Sequence, residues 1–396
     1  MNNSQPASSL VLQGMQRLIE RVTMENELWF PGLEGVIADE TSISSIGDHI
    51  LYRGYTLNDL AENSSFMEVA FLLLQGEIPN QEFLADFQSV VGESAELPHA
   101  VHEMLLNSPL HADPMDTLRT GISLLGEHNS HPTDFDRHVV TQQAIQLLAQ
   151  LPVMMAARHR QQLGFDPVTP DMNLSYVANL IWMLTGKLPS ALQERALDAL
   201  FILYAEHGFN PSTYTARLVA STGADYFSCM TSALGAMKGP LHGGLRDRVI
   251  DLLNEVDEKN KADSWVQAAL KMKRALPGFG HRVHAKGDPR ARMLRKQCRE
   301  LASAGGNEEL EERADAIRHA VAEHYGMLAN LNWPAARLLH YLDISPELFS
   351  SLFVISRLAG WSAHVIEQYE SRSLIRPRSR YNGPGERRFV PIDRRS

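Results

Sequence analysis

The sequence predicts a mainly α fold, and three observations carry that expectation. From Ser65 onward apolar residues recur at helical spacing, as in Phe66, Val69, Ala70, Leu73 and Leu74. Loop signals such as Gly76-Glu77-Ile78-Pro79 punctuate these runs at helix-length intervals. Only Gly35 to Tyr55 alternates β-branched and polar residues, around Ser44-Ser45 and Gly47-Asp48, which predicts one small N-terminal β-hairpin.

In chain order, an amphipathic helix is expected near Gln13 to Glu25, then the hairpin, then helix after helix. The periodicity places helices over 115–126, 139–163, 175–186, 193–206, 212–237, 247–256, 263–275, 289–304, 308–329 and 347–369. Asp288-Pro289 and Ser345-Pro346 each put an N-cap residue before a proline at the first helical position. No fixed-period repeat is present. Gly305-Gly306-Asn307 and the run Glu308 to Arg313 read as a surface loop and a solvated helix face rather than a linker.

Length and composition set the function classes. The 396 residues suffice for two domains or one large one, and 44% hydrophobic with 21% charged residues argues against wholesale disorder or a fibrous repeat. A net charge of -10 argues against nucleic acid as partner, because phosphate binding needs a clustered excess of Lys and Arg. The exception is Arg372 to Arg395, with eight arginines against Glu386 and Asp393, which reads as a solvated face. Cys229 and Cys298 lie far apart in no metal-type spacing, so neither a disulfide framework nor a zinc site is expected. Met1 to Val11 has no basic n-region, and the most apolar run, Val177 to Leu184, is far shorter than a membrane span. A cytoplasmic protein with no membrane partner is expected.

Five clusters stand out as chemistry. In Gly239-Pro240-Leu241-His242-Gly243-Gly244, a histidine sits between a proline turn and two glycines. A helix expected to start just after it would keep His242 neutral and able to donate to a polarised carbonyl; the alternative is a turn histidine without consequence. In Ala205 to Ser212, His207, Asn210 and Ser212 crowd a helix junction; capping explains the latter two but not His207. Pro277 to Val283 places His281 behind glycines, and Lys286-Gly287-Asp288-Pro289-Arg290 adds cations at a helix entrance suited to an anion. Asn330-Leu331-Asn332-Trp333-Pro334 is a polar break after a long helix. Last, Arg357 lies in an apolar helix and is expected to face a carboxylate, with Arg376 as a further arginine of interest.

Together the runs L-Y-A-E-H-G-F-N-P-S-T-Y-T-A-R, G-P-L-H-G-G, G-F-G-H-R-V with G-D-P-R-A, and R-L-A-G-W-S-A-H-V-I-E-Q before I-R-P-R resemble the citrate synthase family. The resemblance covers nearly the whole chain, in motif order, and is strongest to the shorter bacterial citrate and 2-methylcitrate synthases. It implies a two-domain helical homodimer, with 1–243 plus 344–396 as the large domain and 244–343 as a small domain closing over the substrates. It implies condensation of acetyl-CoA, or a close acyl-CoA such as propionyl-CoA, with a 2-oxo diacid, followed by thioester hydrolysis. No permanently bound cofactor and no metal are implied. By matching motifs His242 would stabilise the enol and His281 would polarise the ketone. His207, Arg290 and Arg357 would hold the acceptor's carboxylates, with Arg376 supplied across a dimer. Gly278 and Lys286 lie where the family holds CoA.

The sequence departs from the family at the third catalytic position. Where the family has the aspartate of N-V-D-F, this chain reads Asn330-Leu331-Asn332-Trp333, and an amide lacks a carboxylate's basic lone pair. Losing a positioned base costs about 10²–10⁴ in rate, so a slow enzyme or a binding paralogue without turnover are both open. Leu245-Arg246-Asp247 replaces a usual A-N-E, and His284 stands where an aromatic is common. Arg246 and Arg337 are expected either to meet extra negative charge on an acceptor such as phosphonopyruvate or to be substitutions without bearing on substrate.

Overall fold

In the computed structural model the described residues are 30–33, 35–47, 49–242, 248–281, 283–284 and 286–395. The helix expected near Gln13 to Glu25 therefore lies outside them, as do Gly243, Gly244 and Arg246. The described residues before Ile43 belong to a unit of their own, with a 3-10 turn at Pro31–Leu33 and, beyond it, mostly exposed chain without regular structure. The second unit runs from Ile43 to the C-terminus and is dominated by helices.

The expected hairpin is a three-stranded antiparallel meander: β1 (Ser44–Ile46), β2 (Ile50–Tyr52) and β3 (Tyr55–Thr56). Ser45 pairs with Leu51, and Tyr52 pairs with Tyr55 across the two-residue turn Arg53-Gly54. Both turn residues have positive φ, 48° and 91°, the primed-turn geometry that matches strand twist. Arg53 is an unusual residue for this conformation, and Leu73 O, which accepts from its guanidinium at 3.0 Å, helps to hold it there.

The expected helices are present with one division. The run 212–237 is two helices, Pro211–Ala220 and Tyr226–Lys238, because Gly223 turns at φ 75° and Asp225 caps the second through the Ser228 N–H. Ser345 makes no side-chain cap: Pro346–Leu348 is a 3-10 turn, and the α-helix proper is Phe349–Ser371. Shorter helices at Leu57–Asn63, Gln81–Glu93, His99–Asn107 and Asn332–Tyr341 complete the set that periodicity left undivided.

Phe349–Ser371 is the axis of the core. It is buried almost throughout and packs on Arg137–Gln162, Pro211–Ala220, Tyr226–Lys238, Phe66–Gln75 and Ala191–Tyr204. With its 3-10 lead-in it is, among the described residues, the one helix long and apolar enough to cross a membrane, longer than the Val177–Leu184 run; 94% of its apolar window is buried by protein. Each fully buried Leu or Phe on it contributes about 1.5–3 kcal/mol by removal from water.

Gly360 lets this helix approach the segment that follows Tyr204. A Cβ at 360 would overlap the Ala205 carbonyl and lie 2.5 Å from Glu206 Oε2, both held in place. Gly360→Ala is expected to destabilise the fold by about 1–3 kcal/mol through overpacking. Thermal melting checks this, and an unchanged melting temperature contradicts it.

Candidate active site

The first wall of the site is the junction between Ala191–Tyr204 and Pro211–Ala220. Glu206, fully buried, anchors it: Oε1 accepts from Ser44 Oγ at 2.8 Å, from the Gly208 N–H and from His364 Nε2 at 3.0 Å. Its carbonyl accepts from Tyr52 Oη at 2.7 Å. Burial pushes the Glu206 carboxyl up, but His364 and Arg357 outweigh that and keep it below the usual range, hence ionised. The buried charge is thus held through Oε1, which takes all three bonds while Oε2 meets no hydrogen-bond donor among the described residues, and the chain on either side of His207 is fixed by it.

Both ring nitrogens of His207 are shielded from solvent and meet no protein partner. Burial, then the guanidinium charges of Arg290 and Arg357, hold this imidazole well below its usual pKa, so it is neutral. Two unsatisfied buried nitrogens cost free energy unless a ligand meets them.

The second wall is Gly278 to Arg290, fastened to 328–332. Phe279 bridges Ala329, Gly280 N donates to Leu328 O at 2.9 Å, Asn330 N to Gly278 O at 2.9 Å, and Asn330 Nδ2 to Gly280 O at 2.8 Å. Gly278 has φ 85°, and a Cβ there would sit 3.0 Å from Trp333, so only glycine fits this turn without strain. His281 is thereby presented with Nδ1 accepting from the N–H groups of Val283 and His284, both at 3.1 Å. Its hydrogen must then be on Nε2, which lies 3.5 Å from Arg290 Nη2.

Arg290 is buried at the start of helix Pro289–Gly305, whose cap is Asp288. Asp288 Oδ1 accepts from Arg290 Nε at 3.0 Å, while Oδ2 accepts from Arg290 Nη2 at 2.8 Å and from Leu331 N at 3.1 Å. Burial raises this carboxyl, but Arg290 dominates and holds it at about 2. The imidazoles of His207, His281 and His284 converge, with ring centroids 5.3 Å apart for His207 to each of the others and 4.7 Å for His281 to His284.

His242 stands on the same junction as His207. Its Nε2 accepts from the Ser212 N–H at 3.2 Å and lies 2.8 Å from Ser212 Oγ, which in turn accepts from Trp361 Nε1 at 3.1 Å. The helix terminus that fixes His242 is therefore that of Pro211–Ala220, whereas the sequence pointed to a helix after it, which begins at Arg248. An Nε2 that accepts leaves the hydrogen on Nδ1.

Arg357 is buried near this pair of walls. Its Nε donates to Tyr204 O at 2.6 Å and its guanidinium lies 4.6 Å from the Phe353 ring centre, and its charge helps to keep the buried Glu206 carboxylate ionised. Asn332 opens helix Asn332–Tyr341, directly behind the 278–281 turn. Lys286 is exposed at the rim. The structure does not bring Arg376 into the cluster: it is exposed on the C-terminal segment and donates to Pro377 O at 2.7 Å. Nor does Arg337 face the site. It is buried against Glu311, with Nε to Oε1 at 2.6 Å, and donates to Trp333 O at 2.7 Å, so it balances a charge inside the protein.

Sequence reasoning missed Ser44, Tyr52 and His364, which hold Glu206, and the pairing of Asp288 with Arg290. His364 was visible within A-H-V-I-E-Q, but its partner lies 158 residues away and left no local signal.

The pocket's imidazoles give a pH signature. His281 titrates at about 4 in the folded chain against 6.5 when free, through burial and then Arg290. Between those values the unfolded chain holds the proton and the folded chain does not, so stability is present above about 6.5 and is lost as pH falls toward about 4. His207 and His284 shift in the same direction and add to the effect. The melting temperature is expected to drop across this window, and His281→Gln to shallow the drop; an equally steep profile in that variant contradicts the assignment.

Known proteins resemble this chain in sequence and in fold. The model of the citrate synthase family, "Citrate synthase, C-terminal domain", matches residues 32–378. The chain is 40% identical to "2-methylcitrate synthase 2" of Corynebacterium glutamicum, over 92% of this chain and 97% of that one, and 38% identical to "Citrate synthase 2" of Bacillus subtilis, over 92% and 99%. Among solved structures, citrate synthase of Thermotoga maritima superposes with a TM-score of 0.83 at 32% identity, covering 93% of this chain and 100% of that one. A citrate synthase from Thermoplasma acidophilum, solved with carboxymethyl coenzyme A and oxaloacetate, superposes at 0.87 with 25% identity, covering 93% and 100%. With the family model spanning most of its length and near-full-length relatives above 30% identity, the chain belongs to the citrate synthase family.

Proposed function

We propose that this protein is a C-acyltransferase that condenses acetyl-CoA, or a close acyl-CoA, with a 2-oxo diacid, oxaloacetate first, and then hydrolyses the thioester. The observation that carries the reading is the pair of donors at His281 and Arg290. His281 Nε2, which carries the ring hydrogen, and Arg290 Nη2 lie 3.5 Å apart, and two donor nitrogens so placed call for an acceptor oxygen from outside the protein. A 2-oxo acid supplies it, with His281 on the ketone oxygen and Arg290, Arg357 and His207 on the carboxylates.

On the donor side, Ser212 fixes the tautomer of His242 so that Nδ1–H meets the thioester carbonyl and stabilises the enol formed there. The loop that turns at the buried Gly278, together with the exposed Lys286, receives CoA. Arg376 completes the acceptor site across a homodimer, and residues 244–343 close as the small domain on 1–243 plus 344–396. The protein works in the cytoplasm with no resident cofactor or metal. The solved relative holding carboxymethyl coenzyme A with oxaloacetate supports a two-substrate site.

Two observations favour neighbouring readings. Relatives named 2-methylcitrate synthase favour propionyl-CoA as donor, and Asn332 favours a binding paralogue of low turnover. A phosphonopyruvate acceptor loses the support of Arg337, which is occupied by Glu311. The test is thiol release from acetyl-CoA and propionyl-CoA with a panel of 2-oxo acids. Release with oxaloacetate is expected; no release with any acceptor, while oxaloacetate raises the melting temperature, leaves only the binding reading.

A further inference from the structure

One buried polar group in the pocket has no duty in that mechanism. His284 is only 9% exposed, and its Nε2 is shielded from solvent with no hydrogen-bond partner. Its ring lies against both His207 and His281, and one ring nitrogen from each of the three comes within 4.8 Å of the others. The backbone fixes it firmly: its own N–H is spent on His281 Nδ1, and its carbonyl accepts from Gly287 N at 3.0 Å.

Three converging imidazoles invite a metal reading, which the hydrogen bonds oppose. His281 Nδ1 already accepts two backbone N–H groups, so the nitrogen left to coordinate, Nε2, carries a hydrogen. Arg290 Nη2 stands 3.5 Å from that nitrogen, placing a guanidinium beside any cation. The charges that face His284 are Arg290, which favours the neutral ring, and Asp288, which is engaged by Arg290 and Leu331 N. What such a pocket accepts is an oxygen-rich anion, toward which neutral imidazole N–H groups and guanidinium groups both donate.

We propose that His284 is a specificity-determining residue that donates from Nε2 to the acid group of the 2-oxo acid acceptor, adding a third imidazole to His207 and His281. The inference rests on the reading of this pocket as the acceptor site. It makes acceptor recognition in this chain depend on a group from the 281–288 turn, alongside the arginines.

The experiment measures binding of oxaloacetate and of acetyl-CoA separately, by calorimetry, to the wild-type chain and to His284→Phe and His284→Gln. Phenylalanine keeps the ring and removes the donor, whereas glutamine returns an N–H near the Nε2 position. A hydrogen bond to a charged group is worth about 1.5–3 kcal/mol, so His284→Phe is expected to weaken oxaloacetate about 10- to 150-fold and leave acetyl-CoA unchanged. His284→Gln is expected to recover most of that loss. Equal oxaloacetate affinity in wild type and His284→Phe overturns the proposal while leaving the acceptor site intact. Equal weakening of both ligands, or a Gln variant no better than Phe at matched melting temperature, also overturns it, since a structural role alone explains that pattern. If the wild type binds no 2-oxo diacid, it is the function proposed above that fails.

Discussion

Asn332→Asp is expected to raise the rate of condensation by about 10²–10⁴, the usual contribution of a positioned general base. Asn332 is the first residue of helix Asn332–Tyr341, and its backbone N–H is bound by Asn330 Oδ1 at 2.9 Å. Asn330 in turn holds the Gly280 carbonyl, one residue before His281. A carboxylate at 332 therefore inherits a backbone position tied to His281, the histidine proposed to polarise the ketone. A helix N-terminus favours the ionised carboxylate, so the introduced group is a base at neutral pH. Steady-state thiol release with acetyl-CoA and oxaloacetate measures the effect. Unchanged or lower turnover at normal melting temperature means that another group removes the methyl proton.

The second large effect is at His281. His281→Ala removes the Nε2–H donor, and loss of one preorganised donor to a developing oxyanion costs about 10²–10³ in kcat. The surrounding turn is held independently by the Phe279–Ala329 bridge and by Asn330, so the fold is expected to survive. The measurement is kcat at saturating acceptor, beside the melting temperature. A variant that changes only KM indicates that His281 binds the acceptor without stabilising charge in the transition state.

Much of the fold was legible because helical periodicity is local. Where it misled, a pair of residues decided: Gly223 and Asp225 divide 212–237, and Arg53-Gly54 turns the chain into a third strand without an Asn-Gly signal. The candidate site stands in the sequence as separate motifs, and the structure places His207, His281 and Arg290, which come from two of them, near one another. Partnerships were not legible. Arg337 is paired with Glu311 on another helix, and Glu206 with His364 across the core, pairings that no spacing reveals. Arg290 was identified as a cation for substrate, yet Asp288 two residues earlier already engages it and sets which of its hydrogens remain.

The central claim is that the two walls join a carbon–carbon bond between acyl-CoA and a 2-oxo acid. The most direct measurement incubates the purified protein with methyl-labelled acetyl-CoA and unlabelled oxaloacetate and identifies the product by mass spectrometry alongside free CoA. The expected result is labelled citrate formed in step with CoA release, abolished in His242→Ala. CoA release without a labelled tricarboxylate, or no product although oxaloacetate binds, contradicts the account.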